Sequence, residues 1–278
     1  MLDFYRFTHF QNYPSLLHAV SQKSTAFPFA FSLALHTGED PKEIVCNRTL
    51  LSETLGSENS LHYVVANQTH SDNIKIITKI ENRGWGKSED AIEDCDALIT
   101  NLEDIVLTIL TADCVPILLY DKEKKVVAAV HAGWKGTKAD IVGKTVQKMK
   151  HVFGCEGKNI IAGIAPSIGA CCYEVGEEVA KHFFHLPESV RKKDDKYMLD
   201  LPKINQHQLL KAGLTDKNIE MSAVCTACNV THYFSYRKEK GCSGRFMSMI
   251  GLKLEQNTNR RNKMKIRVYY ENTLGTIF

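Results

Sequence analysis

The sequence has no apolar run long enough to span a membrane as a helix. Its most apolar window, Ile105–Tyr120, is interrupted by Asp113 and falls short of the roughly 18–20 residues that a span needs. The opening MLDFYRFTHFQNYP has an early Asp and no apolar core, so it does not read as a secretory signal. Familiar site signatures are missing too: there is no GxxxxGK(S/T), no GxGxxG and no HExxH. No His is followed two residues later by Glu, which excludes the His-x-Glu and PCxxC pattern of zinc nucleobase deaminases. No repeat, low-complexity tract or Pro/Gly/Ser-rich linker divides the chain, and one domain is expected.

A strong charge imbalance is also lacking, with 35 basic against 32 acidic residues. From Lys253 on, Lys253, Arg260, Arg261, Lys263, Lys265 and Arg267 outweigh Glu255 and Glu271, a net +4 that leaves the rest of the chain at −1. A nucleic-acid-binding face is therefore not expected on the main body. The chain reads as a single domain over 1–252 followed by a basic extension, 253–278. The nine cysteines are odd in number and scattered, in a chain without a secretion signal. Reduced thiols in a cytoplasmic protein are expected, some of them ligands or nucleophiles. With 44% hydrophobic residues, core material is ample.

What is present is organised around Val106–Gly136, VLTILTADCVPILLYDKEKKVVAAVHAGWKG. Two apolar runs flank the charged turn 121–125, which suggests an antiparallel hairpin. Cys114 follows VLTILTAD and His131 follows VVAAV, each at a strand end, where function collects. A thiol and an imidazole so placed suit zinc ligation or a nucleophile with its base.

Residues 1–60 begin with a polar lead-in. Asp40-Pro41 can open a helix over PKEIVCNRTLLSETLG, with Asp as cap and Pro at the first position. Arg48 lies inside it and reads at first as a solvated helix residue. LHYVVANQTHSDNIKIITKI is strand, loop, strand, with His70 at the loop centre, and a short strand with an acidic entry follows at 94–100. Residues 138–153 form an amphipathic helix closed by Gly154, and 159–165 another strand. A helix is expected to run through Phe184, a polar surface excursion over 185–200, a helix over 201–211 and a strand over 219–224. The pattern is α/β.

Ala165-Pro166-Ser167-Ile168-Gly169 loosely mimics a nucleophile elbow, but Ala replaces the first Gly. An anion-binding turn at the next helix start suits that loop better than Ser167 as nucleophile. Cys225-x-x-Cys228, with His232 and Cys242, is a candidate zinc knuckle that lacks a second close pair. Cys171-Cys172 reads as packing plus one exposed thiol. His70, Cys114 and His131 together leave zinc one position short of tetrahedral, as catalytic sites do.

Asn67-Gln68-Thr69-His70, Thr111 to Pro116, Val130 to Gly136, and Ala165 to Gly169 with Cys172-Tyr173-Glu174-Val175-Gly176 stand in the order of one family's motifs. Cys225-Thr226 and Phe234-Ser235-Tyr236-Arg237 with Gly244-Arg245 fit its C-terminal end. Over residues 18–252 the chain resembles the bacterial polyphenol oxidase (laccase-domain) proteins. These are also called peptidoglycan editing factor, or purine nucleoside phosphorylase with adenosine deaminase activity. The resemblance implies a layered sandwich of mixed sheets flanked by helices, related to toxin deamidases that use a Cys–His pair. It implies His70, Cys114 and His131 as the catalytic metal trio, holding Zn²⁺ or copper. Asn47-Arg48 would match an Asn-Arg pair near the substrate, making Arg48 a candidate phosphate clamp. Asp113 is a candidate to orient a ligand His or carry a proton, or else a structural acceptor of N–H groups. The implied substrates are purine nucleosides and phosphate. The implied reactions are phosphorolysis of adenosine, inosine, guanosine and methylthioadenosine, and deamination of adenosine. A Cys–His amidohydrolase acting on cell-wall peptide precursors and a copper-dependent polyphenol oxidase are the alternatives. The family often has Gly after the first His, where this chain has Ser71.

Overall fold

The computed structural model describes residues 2–56, 61–241 and 243–253. The basic extension beyond Lys253, and Cys242 of the candidate knuckle, lie outside the described residues.

Strands Ile105–Thr111, Val115–Asp121 and Val126–Ala132 are buried along their whole length. Their near-continuous apolar composition fits strands covered on both faces. Two mixed sheets provide that cover. The first runs in the order Phe4–Tyr5, Leu16–Ser21, Phe246–Leu252, Ile105–Thr111, His62–Val65. The second runs Ile219–Met221, Ile160–Ile164, Val115–Asp121, Val126–Ala132, Ala97–Thr100, Ile74–Ile76.

Side-chain alternation then builds three cores. Leu107 and Ile109 of the first sheet meet Leu118, Tyr120 and Val127 of the second. The opposite face of the second sheet, with Ile117, Leu119 and Val130, packs on Ile141–Phe153 and Leu201–Lys211. The outer face of the first sheet, with Val106, Leu110 and Met249, packs on Leu51 of helix Pro41–Thr54. The result is a helix–sheet–sheet–helix sandwich of α/β class. Among the described residues no helix is long and apolar enough to cross a membrane.

Helix Pro41–Thr54 starts as its sequence demands: Asp40 accepts from the Lys42 N–H and Pro41 opens the first turn. Val115–Asp121 and Val126–Ala132 form the antiparallel hairpin. Several expectations are corrected. The lead-in contains the buried strand Leu16–Ser21. The helix expected over 138–153 is present as Ile141–Phe153 and closed by Gly154, but it starts later because Asp140 turns left-handed and caps Gly143 N–H; a separate short helix, Trp134–Lys138, precedes it. The helix expected through Phe184 is only Glu177–Ala180 with a 3-10 turn. The excursion 185–200 contains the paired strands Val190–Lys193 and Lys196–Leu199.

Candidate metal centre

The loop carrying His70 links strand His62–Val65 of one sheet to Ile74–Ile76 of the other. It is folded around one carboxylate. Asp96, with no exposed surface, accepts the backbone N–H groups of Thr69 (3.3 Å), His70 (3.1 Å) and Ser71 (2.7 Å). Ser71 Oγ donates to the same carboxylate at 2.7 Å, so the Ser that replaces the family's frequent Gly is used. His70 sits at φ 60°, a left-handed backbone held by these bonds. Asp96 also accepts from His131 Nδ1 at 2.6 Å. One carboxylate thus positions both imidazoles, whose rings meet edge to face at 4.8 Å.

Cys114 sits where the chain passes from Ile105–Thr111 to Val115–Asp121, from one sheet to the other. Its Sγ lies 3.8 Å from His70 Nε2. The hairpin register sets Pro116 opposite His131, which brings the two strand ends together. Gly133 completes the fit: a Cβ there would meet His70 Cδ2 at 3.0 Å and Cys114 Sγ at 3.1 Å. The ligand atoms of His70, Cys114 and His131 lie within 4.8 Å of one another.

Burial pushes the Cys114 thiol up, but the positive charge and hydrogen bond of His131, with that of His70, outweigh it and favour the thiolate. Burial likewise opposes charge on His131, and the Cys114 thiolate and Asp96 overcome it, raising its pKa. Burial would raise Asp96, yet its bonds to His131 and Ser71 bring it to about 2. Asp113 beside Cys114 is a structural acceptor. Its two oxygens take Thr226 Oγ1 and Arg237 N–H, each at 2.7 Å. The group that orients His131 is Asp96, which sequence reading passed over.

His70, Cys114 and His131 line a cavity of about 600 Å³, together with Trp134, Tyr173, Tyr236, Arg237 and Arg245. Arg237 lies over the Tyr173 ring and Arg245 over Tyr236. Arg48 also reaches the lining but is only 1% exposed. Its guanidinium donates twice to Leu33 O (2.9 and 2.7 Å) and once each to Gly84 O (2.6 Å) and Trp85 O (2.7 Å). It is neither solvated nor a free clamp. It ties the helix to two loops, with burial bringing its pKa down to about 10.

Ser167 is buried, and its N–H donates to Val224 O. The N–H groups of Ile168 and Gly169 go to Asp113 O and Cys225 Sγ. No amide of that turn is left for an anion, which corrects that expectation. The Cys225–Cys228 pair meets Cys171 and Cys172 rather than His232.

Fold and site together define an α/β protein with two histidines and a cysteine, able to hold a metal ion, at a cavity between two sheets. Residues 18–253 match the family described as multi-copper polyphenol oxidoreductase laccase, and the chain belongs to that family. It is 36% identical to a purine nucleoside phosphorylase of Bacteroides thetaiotaomicron, over 80% of this chain and 84% of that protein. It is 35% identical to adenosine deaminase RL5, from an unknown prokaryotic organism, over 77% of this chain and 84% of that one. The crystal structure of YlmD from Geobacillus stearothermophilus superposes with a TM-score of 0.83 at 30% identity, covering 89% of this chain and 94% of that chain.

Proposed function

We propose that the chain is a zinc-dependent purine nucleoside enzyme. It cleaves adenosine, inosine, guanosine and methylthioadenosine with phosphate, and it deaminates adenosine with water. The observation that carries this reading is the Asp96-braced set of His70, Cys114 and His131 in a cavity of nucleoside size. The names of the relatives support the substrate class.

The donor set fits zinc. Zn–N of about 2.0 Å and Zn–S of about 2.3 Å in tetrahedral geometry separate N from S by about 3.5 Å. Cys114 Sγ and His70 Nε2 are 3.8 Å apart. Since Nδ1 of His131 bonds to Asp96, Nε2 is the nitrogen left for the ion, in a carboxylate–histidine–metal relay. When bound, Zn²⁺ supplies Lewis acidity beside the substrate.

Arg237 and Arg245 bring positive charge to the cavity, and a guanidinium grips phosphate oxygens in pairs. Tyr173 and Tyr236 offer ring faces to a purine. In phosphorolysis a phosphate oxygen bonds to C1′ as the C1′–N9 bond breaks, and the purine leaves with one proton. In deamination water adds at C6 and ammonia leaves. Incubation with adenosine is expected to yield adenine and ribose 1-phosphate only when phosphate is present, and inosine with or without it. Full nucleoside cleavage by Cys114→Ala, in protein free of zinc by mass spectrometry, would sink the proposal.

A second reading rests on the charge pairing of Cys114 with His131, which also suits a thiolate nucleophile and its base. The substrate would then be an amide such as a cell-wall peptide precursor. A covalent acyl-enzyme whose formation chelators do not alter supports it. Copper in the same donor set is the remaining outcome of metal analysis. Multicopper oxidation needs several linked copper sites. Among the described residues the other ligand cluster contains cysteines alone.

A further inference from the structure

Strands Ile160–Ile164 and Ile219–Met221 run parallel at one edge of the second sheet. Their following loops therefore leave side by side. Ser167 N–H donates to Val224 O, and Thr226 N–H donates back to Ser167 O. This zippering brings Cys171 and Cys172 of one loop against Cys225 and Cys228 of the other. The Sγ of Cys228 lies 3.4 Å from that of Cys172 and 3.6 Å from that of Cys171, and all four sulfurs fall within 4.8 Å of one another.

A disulfide needs sulfurs about 2.05 Å apart, well inside these separations. A tetrahedral ion with Zn–S bonds of about 2.3 Å places its sulfurs about 3.8 Å apart, close to the 3.4 and 3.6 Å separations from Cys228 and within the 4.8 Å that bounds the cluster. At Cys225 the surroundings also suit a thiolate. Gly169 N–H donates to Cys225 Sγ at 3.3 Å, the kind of outer hydrogen bond that steadies a metal-bound sulfur. A Cβ on Gly169 would come 3.3 Å from Cys225 Cβ and 3.5 Å from Cys171 Sγ, so the residue at this turn lets the sulfurs close in. Cys171 and Cys228 are exposed, which gives an ion a path into the folded protein.

We propose that Cys171, Cys172, Cys225 and Cys228 bind a second zinc ion as a closed tetrathiolate, separate from the cavity site. Four thiolates leave no open coordination position, so the ion is structural. It pins the two loops that shape one wall of the cavity. Tyr173 follows Cys172 directly, and Thr226 and Arg237 of the other loop both bond to Asp113 beside Cys114. The proposal does not depend on the reaction the cavity performs.

The test uses the reduced, full-length chain carrying Cys114→Ala, which removes a ligand of the cavity site alone. Stripped of metal under reducing, anaerobic conditions, it is titrated with Co²⁺. One equivalent is expected to bind with strong sulfur-to-cobalt charge-transfer absorption and tetrahedral d–d bands. One equivalent of Zn²⁺ should bleach both and raise the melting temperature. Adding Cys228→Ser should remove the tetrathiolate spectrum. If that variant does not fold, alkylation decides: Zn²⁺ is expected to protect these four thiols in the Cys114→Ala chain. No thiolate-to-cobalt band in Cys114→Ala, or unchanged alkylation rates with Zn²⁺ present, overturns the site. Iron or copper in the cluster of the native protein overturns the assignment to zinc.

Discussion

His131 Nδ1 and Asp96 Oδ1 lie 2.6 Å apart, with the histidine 2% exposed and the aspartate wholly enclosed. Because the same carboxylate gathers the N–H groups of Thr69, His70 and Ser71, it sets the loop of one histidine and the ring of the other.

Asp96→Asn keeps the size of that group and removes its charge. Loss of such an outer partner costs about 10–100-fold in metal affinity or activity. Zinc affinity, measured by competition with a chromophoric chelator, is expected to fall within that range, and nucleoside cleavage with it. Unchanged zinc affinity would show that the loop holds its shape without the charge.

Arg48→Met separates a structural arginine from a phosphate clamp. Leu33 O, Gly84 O and Trp85 O would lose their donor inside the protein. Unmet buried acceptors cost about 1–3 kcal/mol each before relaxation, so a loss of about 3 kcal/mol in urea unfolding is expected. The KM for phosphate in the folded fraction should stay within about twofold, since a broken charged contact to phosphate would cost more than that. A large rise in that KM with normal stability would restore the clamp.

Local signals made some of this molecule legible. Asp40-Pro41 announces its helix, and the charged turn 121–125 announces its hairpin, because caps and turns act over a few residues. Strand Phe246–Leu252 was hidden, since FMSMIGL alternates neither in charge nor in size, and its place comes from pairing with distant Leu16–Ser21 and Ile105–Thr111. The same division runs through the site. His70, Cys114 and His131 stand out as reactive side chains at strand ends, and the structure brings them together. Asp96 did not stand out, because a carboxylate before a strand is ordinarily solvated. Its burial follows from the approach of a loop 25 residues away in sequence. Arg48 misled for the opposite reason: a helix arginine carries no mark of the carbonyls waiting for it. The two cysteine pairs become neighbours only through parallel pairing of the strands before them.

In the proposed reaction, Arg245 is the residue expected to hold phosphate. It lines the cavity and lies over the Tyr236 ring. Replacing it by Gln removes a charged donor, a contact of about 1.5–3 kcal/mol, so the KM for phosphate is expected to rise about tenfold or more. Deamination consumes no phosphate and should change less. Steady-state rates with phosphate varied at fixed inosine, beside adenosine deamination without phosphate, read the two effects apart. An equal loss in both reactions would place Arg245 in loop positioning, through its bonds to Ser243 O and Gly244 O, rather than on phosphate.

His18 predicts how the fold responds to acid. Its ring packs edge-on against Phe10 at 5.1 Å, and its Nε2 accepts the Phe7 N–H at 3.1 Å, so the neutral tautomer carries its proton on Nδ1. Burial first, and then the Arg6 charge, bring its pKa down to about 4. The unfolded chain, with a histidine near the usual value of about 6.5, binds this proton more readily than the fold does. The stability it guards is therefore complete above about pH 6.5, is lost as pH falls toward 4, and levels off below that. A shift of about 2.5 units corresponds to about 3 kcal/mol. His18→Gln keeps an acceptor near Phe7 and cannot titrate. Urea unfolding of both proteins at pH 7.5, 5.5 and 4 is expected to show the parent losing about 3 kcal/mol more than the variant across that range. Parallel losses in the two proteins would mean that the acid sensitivity arises elsewhere.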